Sequence, residues 1–104
     1  MNSQLTVSED KVGEYRLSGD LNMKTVTNGW PDKQKIIQQL KQTDGSLNVD
    51  FSGITHVDTS GLAWVMHLTK ACQKQQLELK LHHLPVGLIN LAKLSNVDGL
   101  LPIQ

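Results

Sequence analysis

The segment DFSGITHVDTSG, residues 50–61, holds the side chains best suited to chemistry, because carboxylates and hydroxyls stand where a buried strand leads into a helix. Asp58 and Thr59 are both favourable N-cap residues, whose side-chain oxygens accept from the free N–H groups of a first helical turn. The same free N–H groups and the helix dipole stabilise a phosphate. Two interpretations therefore stay open: a structural cap, or a hydroxyl on Thr59 or Ser60 that accepts a phosphoryl group or contacts a partner.

Histidines and one cysteine are the other candidates for catalysis or metal binding. His82 and His83 are adjacent in a predicted strand, so we expect their rings to lie on opposite faces, unable to chelate one ion together. The sequence contains neither HxxxH nor CxxC, and we therefore predict no metal and no cofactor. Cys72 is predicted to face the core, where a thiol is usually inert.

Asp50, His56 and Thr59 are the residue types of a catalytic triad. However, the GxSxG turn that exposes such a nucleophile is missing, and so is the phosphate-binding loop GxxxxGK[ST]. We therefore expect no enzymatic activity, and any ATP hydrolysis would belong to a partner.

Length and charge exclude several broad classes of function. The 104 residues are enough for one domain, which we place at residues 1–104, and ten Lys and Arg balance ten Asp and Glu. A net charge of zero, with Arg16 as the only arginine, argues against broad binding to nucleic acid or anionic lipid. A single cysteine, no visible signal peptide and no apolar segment long enough to span a bilayer predict a small cytoplasmic chain without membrane insertion.

The elements that must position these residues follow the order β-β-α-β-α-β-α. Alternating apolar residues predict strands near residues 5–7, 15–17, 47–51 and 77–81, and helical spacing predicts helices from Pro31, over Ser60 to Gln76, and from Pro85. Strands that alternate with helices indicate an α/β fold whose mixed sheet is mostly parallel, with one antiparallel edge.

The helix that begins at Ser60 has an unusual outer side. At 100° per residue, the side assigned to the core carries Gly61, Leu62, Val65, Leu68, Thr69 and Cys72, and the outer side carries Ser60, Ala63, Trp64, His67, Lys70, Ala71 and Lys74. Small residues beside a tryptophan form a low-profile patch on which a partner can dock. The alternative is that Trp64 folds over a neighbouring loop.

The sequence resembles the STAS domains, the family of bacterial anti-sigma-factor antagonists and of the cytoplasmic domains of sulfate transporters. The resemblance covers nearly the whole chain and includes LSGDL at residues 17–21, DFS at 50–52 and VDTSG at 57–61. It implies a single STAS fold and a protein-interaction module.

Within that family the chain looks most like the MlaB-type subunits of phospholipid-transporting ABC complexes in Gram-negative bacteria. The residues that carry this likeness are DT at 58–59, GLA at 61–63, HL at 67–68, Trp30, and LAKLSN at 91–96 with Leu101-Pro102. It implies a non-catalytic subunit that binds and activates the ATPase of a transporter maintaining outer-membrane lipid asymmetry.

The position of Thr59 in this resemblance has two meanings. In the MlaB-type subunits it faces the ATPase, and in anti-sigma-factor antagonists it is the phosphorylated position. Ser60 replaces a glycine common in the MlaB type, which keeps phosphoregulation open as the alternative function. The expected partner-binding residues are Asp58, Thr59, Ser60, Ala63, Trp64, His67 and Ala71, and the sequence leaves open whether Trp30 belongs to the interface or to the core.

Overall fold

The computed structural model of the chain describes residues 4–11, 13–25, 38, 40 and 45–103. These residues form a single α/β domain built on a four-stranded sheet. Its elements are β1 (Leu5–Lys11), β2 (Glu14–Leu21), β3 (Ser46–Val57), α1 (Thr59–Lys74), β4 (Glu78–His82), α2 (Val86–Leu94) and a short 3-10 helix (Asp98–Leu100).

The sheet has the strand order β1-β2-β3-β4. β1 pairs with β2 antiparallel, whereas β2 with β3 and β3 with β4 pair in parallel. The predicted mixed sheet, mostly parallel with one antiparallel edge, is therefore confirmed. The physical basis is that a two-strand hairpin can be closed by a short turn, whereas parallel neighbours need a crossover such as α1.

Alternation along the strands places the core on one face of the sheet. Leu17, Val49 and Phe51 are buried there, while the residues between them face solvent or are half-buried. The helices pack against the apolar face, with Leu68 of α1 and Leu88 of α2 buried in the same cluster. Burial of this one face is what sets the strand register, because a slip by one residue would expose every one of these side chains.

The helix predicted from Pro31 falls largely outside the described residues, and Trp30 lies outside them as well. Gln38 and Leu40 are described and are helical, and Leu40 is buried in the core. The helix predicted over Ser60 to Gln76 is confirmed within two residues at each end, and the helix predicted from Pro85 begins at Val86, with Pro85 as its N-cap. No helix in the described part of the chain is long and apolar enough to cross a membrane.

Tyr15 makes the stability of this sheet sensitive to alkaline pH. Burial raises the pKa of its phenol to about 12, and the Glu9 carboxylate, which accepts the phenol's hydrogen bond at 2.8 Å, adds to the increase. Because the unfolded phenol ionises near pH 10, this contribution to stability is intact below pH 10 and is lost as the pH rises towards 12. We expect a loss of about 2 kcal/mol near pH 11.5.

Urea titrations at pH 9 and pH 11.5 measure this effect, with Tyr15→Phe as the control. Burial also raises the pKa of the Cys72 thiol to about 11, so the control should lose stability only through Cys72, mainly between pH 9 and 11. Equal losses in the wild-type and Tyr15→Phe chains would contradict the assignment.

Candidate functional site

The candidate site lies at the edge of the sheet where α1 begins. Because β2, β3 and β4 run in parallel, the segments that follow them leave the sheet in the same direction. β3 extends seven residues past its last pairing with β4, which is Asp50 with His82. The start of α2 lies beside the end of this extension, since a Cβ atom on Gly87 would lie 3.3 Å from a methyl carbon of Val57.

Asp58, one of the two residues predicted as possible caps, forms the N-cap of α1. Its Oδ1 accepts a hydrogen bond from the backbone N–H of Gly61 at 3.0 Å, and its backbone is extended at the cap position. The N–H of Asp58 itself donates to the carbonyl of Leu21 at 3.3 Å, which ties the start of the helix to the end of β2. Asp58 therefore has a structural role that does not depend on any binding partner.

Gly61 allows α1 to approach β2 closely. A Cβ atom on Gly61 would lie 2.5 Å from the carbonyl oxygen of Leu21 and 3.0 Å from its Cγ. Only a residue without a side chain fits there, which explains the glycine of the VDTSG segment by packing alone.

Thr59 is the first residue of α1, and it is exposed, whereas Ser60 is half-buried. The Asp58 carboxylate caps the Gly61 N–H, so the Thr59 hydroxyl is not used as the cap. It forms no hydrogen bond with any of the residues that the structure describes. An exposed hydroxyl at a helix N-terminus is available for a partner or for a phosphoryl group.

Two exposed apolar side chains follow the parallel strands on this side, and the sequence analysis did not identify them. Met23 stands in a turn held by the Asn22 side chain, which accepts from the N–H groups of Lys24 and Thr25, and it is 69% exposed. Val86 begins α2 next to the contact of Gly87 with Val57, and it is 71% exposed. Each of these residues is an apolar residue a few positions after a strand, which periodicity does not distinguish from a core residue.

The prediction that Trp64 is exposed on the outer side of α1 is wrong. The side chain is only 6% exposed and belongs to the core cluster. On a helical wheel centred on the buried residues of α1, Trp64 lies at one margin and Leu62 at the other, each about 80° from the centre. A large side chain at such a margin buries its area against the body of the domain.

The remaining predicted partner-binding residues divide by exposure. Ala63 and His67 are exposed, and Ala71 is half-buried. We define the α1 entry surface as Thr59, Ser60 and Ala63 together with Met23 and Val86. These side chains offer two hydroxyls and small or flexible apolar groups, which suit a packed protein contact.

The residues considered for a triad belong to separate clusters. The Asp50 carboxylate accepts from the Ser52 N–H at 2.9 Å and pairs with His83 at 3.1 Å, and the Asp50 pKa is lowered because these contacts outweigh burial, which raises it. His56 instead pairs with Asp20 at 3.0 Å on the neighbouring strand. The hydrogen bonds of Asp50 and His56 therefore join neighbouring segments of the sheet, and none of them activates the Thr59 hydroxyl.

The prediction that the rings of His82 and His83 point to opposite faces is wrong. β4 ends at His82, and His83 has a φ of 56°, so the chain leaves the extended conformation that makes side chains alternate. Both rings line one open pocket of about 300 Å³ on the polar face of the sheet, with their centroids 6.5 Å apart. The described residues contain no group of three or more side chains arranged to hold a metal ion.

Adding one methyl group at Gly61 is expected to destabilise the fold. Alanine favours a helix over glycine by about 1 kcal/mol, but its Cβ would collide with the Leu21 backbone, and we expect Gly61→Ala to lower the free energy of unfolding by about 1–3 kcal/mol. Gly87→Ala is the matched control, because its Cβ meets only a methyl of Val57. A loss of stability in Gly61→Ala that is no larger than the loss in Gly87→Ala, measured by urea titration, would contradict this packing argument.

Comparison with known proteins agrees with this architecture. The family model described as "Mlab, STAS domain" matches residues 6–102. The anti-sigma factor antagonist SpoIIAA in its unphosphorylated form has a similar structure, with a TM-score of 0.64, 13% identity, and coverage of 96% of this chain and 87% of SpoIIAA. A putative anti-sigma factor antagonist from Thermotoga maritima has a TM-score of 0.65 and 14% identity, with coverage of 95% and 84%. No curated protein matches the chain.

Proposed function

The chain belongs to the MlaB-type family of STAS domains, and from this membership we propose that it is a non-catalytic subunit of an ABC-type phospholipid transporter. In this proposal it binds the transporter's ATPase and stabilises or activates it. The complex would lie at the inner membrane of a Gram-negative bacterium and maintain outer-membrane lipid asymmetry. The chain itself would sit on the cytoplasmic side, held there by its partner.

The observation that carries this proposal is the α1 entry surface. Its helix terminus is capped internally by Asp58, so the Thr59 hydroxyl is left for an outside contact. Met23 and Val86 expose apolar area in the segments that follow the parallel strands β2 and β4. A hydroxyl bordered by small and flexible apolar side chains can be desolvated against a partner without burying an unpaired charge.

Co-purification with the ATPase tests the proposal. A tagged chain expressed in its own bacterium at native level should recover the ATPase of the phospholipid transporter in stoichiometric amount, and cells that lack the chain should show a lower level of assembled transporter. Failure of the purified chain and the purified ATPase to associate would overturn the proposal.

A second candidate function is supported by the exposure of Thr59 and by the fold shared with an anti-sigma factor antagonist. In this case a partner kinase would phosphorylate Thr59 or Ser60, and the added charge would control the complex. The intact mass of the chain isolated from cells distinguishes the two candidates. A stoichiometric increase by one phosphate on residues 59–60 favours signalling, and its absence under all growth conditions favours the transporter subunit.

A further inference from the structure

The exposed side of α1 is one continuous stripe that carries positive charge and no negative charge. At 100° per residue, Thr59, Ala63, His67, Lys70 and Lys74 fall within an arc of about 80°, and all five are exposed. The stripe extends about 22 Å along the helix axis. The α1 sequence contains neither Asp nor Glu, although the whole chain has as many acidic as basic residues.

The two lysines of this stripe have no ion-pair partner among the described residues. Lys70 and Lys74 form no ion pair with any residue in the described part of the chain, whereas Arg16 pairs with Asp10 and Lys80 with Glu78. We call His67, Lys70 and Lys74 the lysine face.

The stability of the helix explains only part of this arrangement. Lys74 lies in the last turn, where a cation interacts favourably with the helix dipole. The dipole does not explain Lys70, which lies one turn earlier, or the lack of an acidic residue in the first turn of α1. Glutamates at i−4 from these lysines would also stabilise the helix, yet those positions hold Met66 and Lys70.

We propose that the lysine face docks on an acidic surface of the same partner protein that covers Thr59, so that the interface continues along α1. This inference rests on the proposed function and adds to it the charge of the partner's surface. The small side chains of the α1 entry surface would form the packed centre, and the lysine face would form a charged rim. The absence of acidic residues from α1 fits this role, because a carboxylate on the stripe would repel such a partner.

A charged rim predicts a particular kinetic signature. Rim charges change mainly the association rate and its dependence on salt, whereas contacts in a packed centre change mainly the dissociation rate. The Lys70→Glu/Lys74→Glu double variant should therefore associate with the purified transporter ATPase about 10- to 100-fold more slowly at low salt. Added NaCl should slow association of the wild-type chain, whereas it should leave the rate of the double variant unchanged or raise it, because salt screens repulsion as well as attraction.

The matched control is the Lys11→Glu/Lys93→Glu double variant. It changes the net charge by the same amount, both lysines are exposed, and Lys93 lies in the last turn of α2 as Lys74 does in α1. Biolayer interferometry at several NaCl concentrations measures the rates for wild type and both variants. Slower association confined to the Lys70/Lys74 variant would support the inference.

The other outcomes are decisive too. If both double variants slow association equally, the effect is one of net charge and the lysine face is not an interface. If the wild-type chain binds the ATPase and the Lys70/Lys74 variant binds equally fast, this inference fails while the proposed function stands. If the wild-type chain does not bind the ATPase, the proposed function fails, and the inference fails with it. If the wild-type chain instead binds vesicles with 30% anionic lipid at 150 mM NaCl, and the Lys70/Lys74 variant does not, the lysine face binds a membrane and the inference fails.

Discussion

The Thr59→Glu variant is expected to bind the transporter ATPase at least about 100-fold more weakly than the wild-type chain. Thr59 is exposed in the free domain, so the added carboxylate is fully hydrated before binding. In the proposed complex the same carboxylate would be desolvated against a packed surface without a partner, which costs about 3 kcal/mol or more. The loss should appear mainly as faster dissociation, because the α1 entry surface forms the centre of the interface.

Thr59→Gln is the control for size, since its side chain matches glutamate in shape and carries no charge. We expect Thr59→Gln to retain most of the affinity that Thr59→Glu loses. Both variants should keep the stability of the wild-type chain in urea titrations, because Asp58, and not Thr59, caps the helix. Equal binding by the wild-type chain and Thr59→Glu would place the interface elsewhere.

The Trp64→Ala variant is expected to lower the free energy of unfolding by about 3–5 kcal/mol. The side chain is 6% exposed and packs in the core cluster, so its removal takes buried apolar area away and leaves a cavity. His67→Ala, one turn further along on the exposed side, is the control and should change stability by about 0.5 kcal/mol or less. Urea titrations of the two variants measure the difference.

This prediction also changes how a binding experiment at Trp64 is interpreted. A loss of partner binding in Trp64→Ala would report partial unfolding and not the loss of an interface anchor. Trp64→Phe retains most of the buried area, so we expect it to fold and to bind the ATPase nearly as the wild-type chain does. A stability loss below about 1 kcal/mol in Trp64→Ala would contradict the burial of this side chain.

The strands and the two described helices could be predicted because their signals are local. The alternation of apolar residues at Leu47, Val49 and Phe51 and the apolar stripe at Val65, Leu68 and Cys72 follow from the geometry of a strand and of a helix. The cap at Asp58 could be predicted for the same reason, since its hydrogen bond spans only three residues.

Two predictions failed. One concerned a residue at the margin between the buried and exposed sides of a helix, and the other concerned a residue with an irregular backbone conformation. Trp64 stands at the boundary between the buried and exposed sides of α1, where an angle alone does not decide burial. His83 was assigned to a strand, but its left-handed backbone turns the ring to the same pocket as His82. The His83 ring also pairs with Asp50, which is 33 residues away in the sequence.

By itself, then, the sequence determined the order of the described strands and helices, the mixed sheet and the hydroxyl turn at the start of α1, because these depend on neighbouring residues and on periodicity. The tertiary structure alone decided which side chains reach the surface. It buried Trp64, exposed Met23 and Val86 after parallel strands, and gave Lys70 and Lys74 no ion pair with any residue that the structure describes. The physical reason is that exposure and charge pairing depend on which elements pack together. A chain with no net charge can therefore still carry a helix face on which all the formal charges are positive.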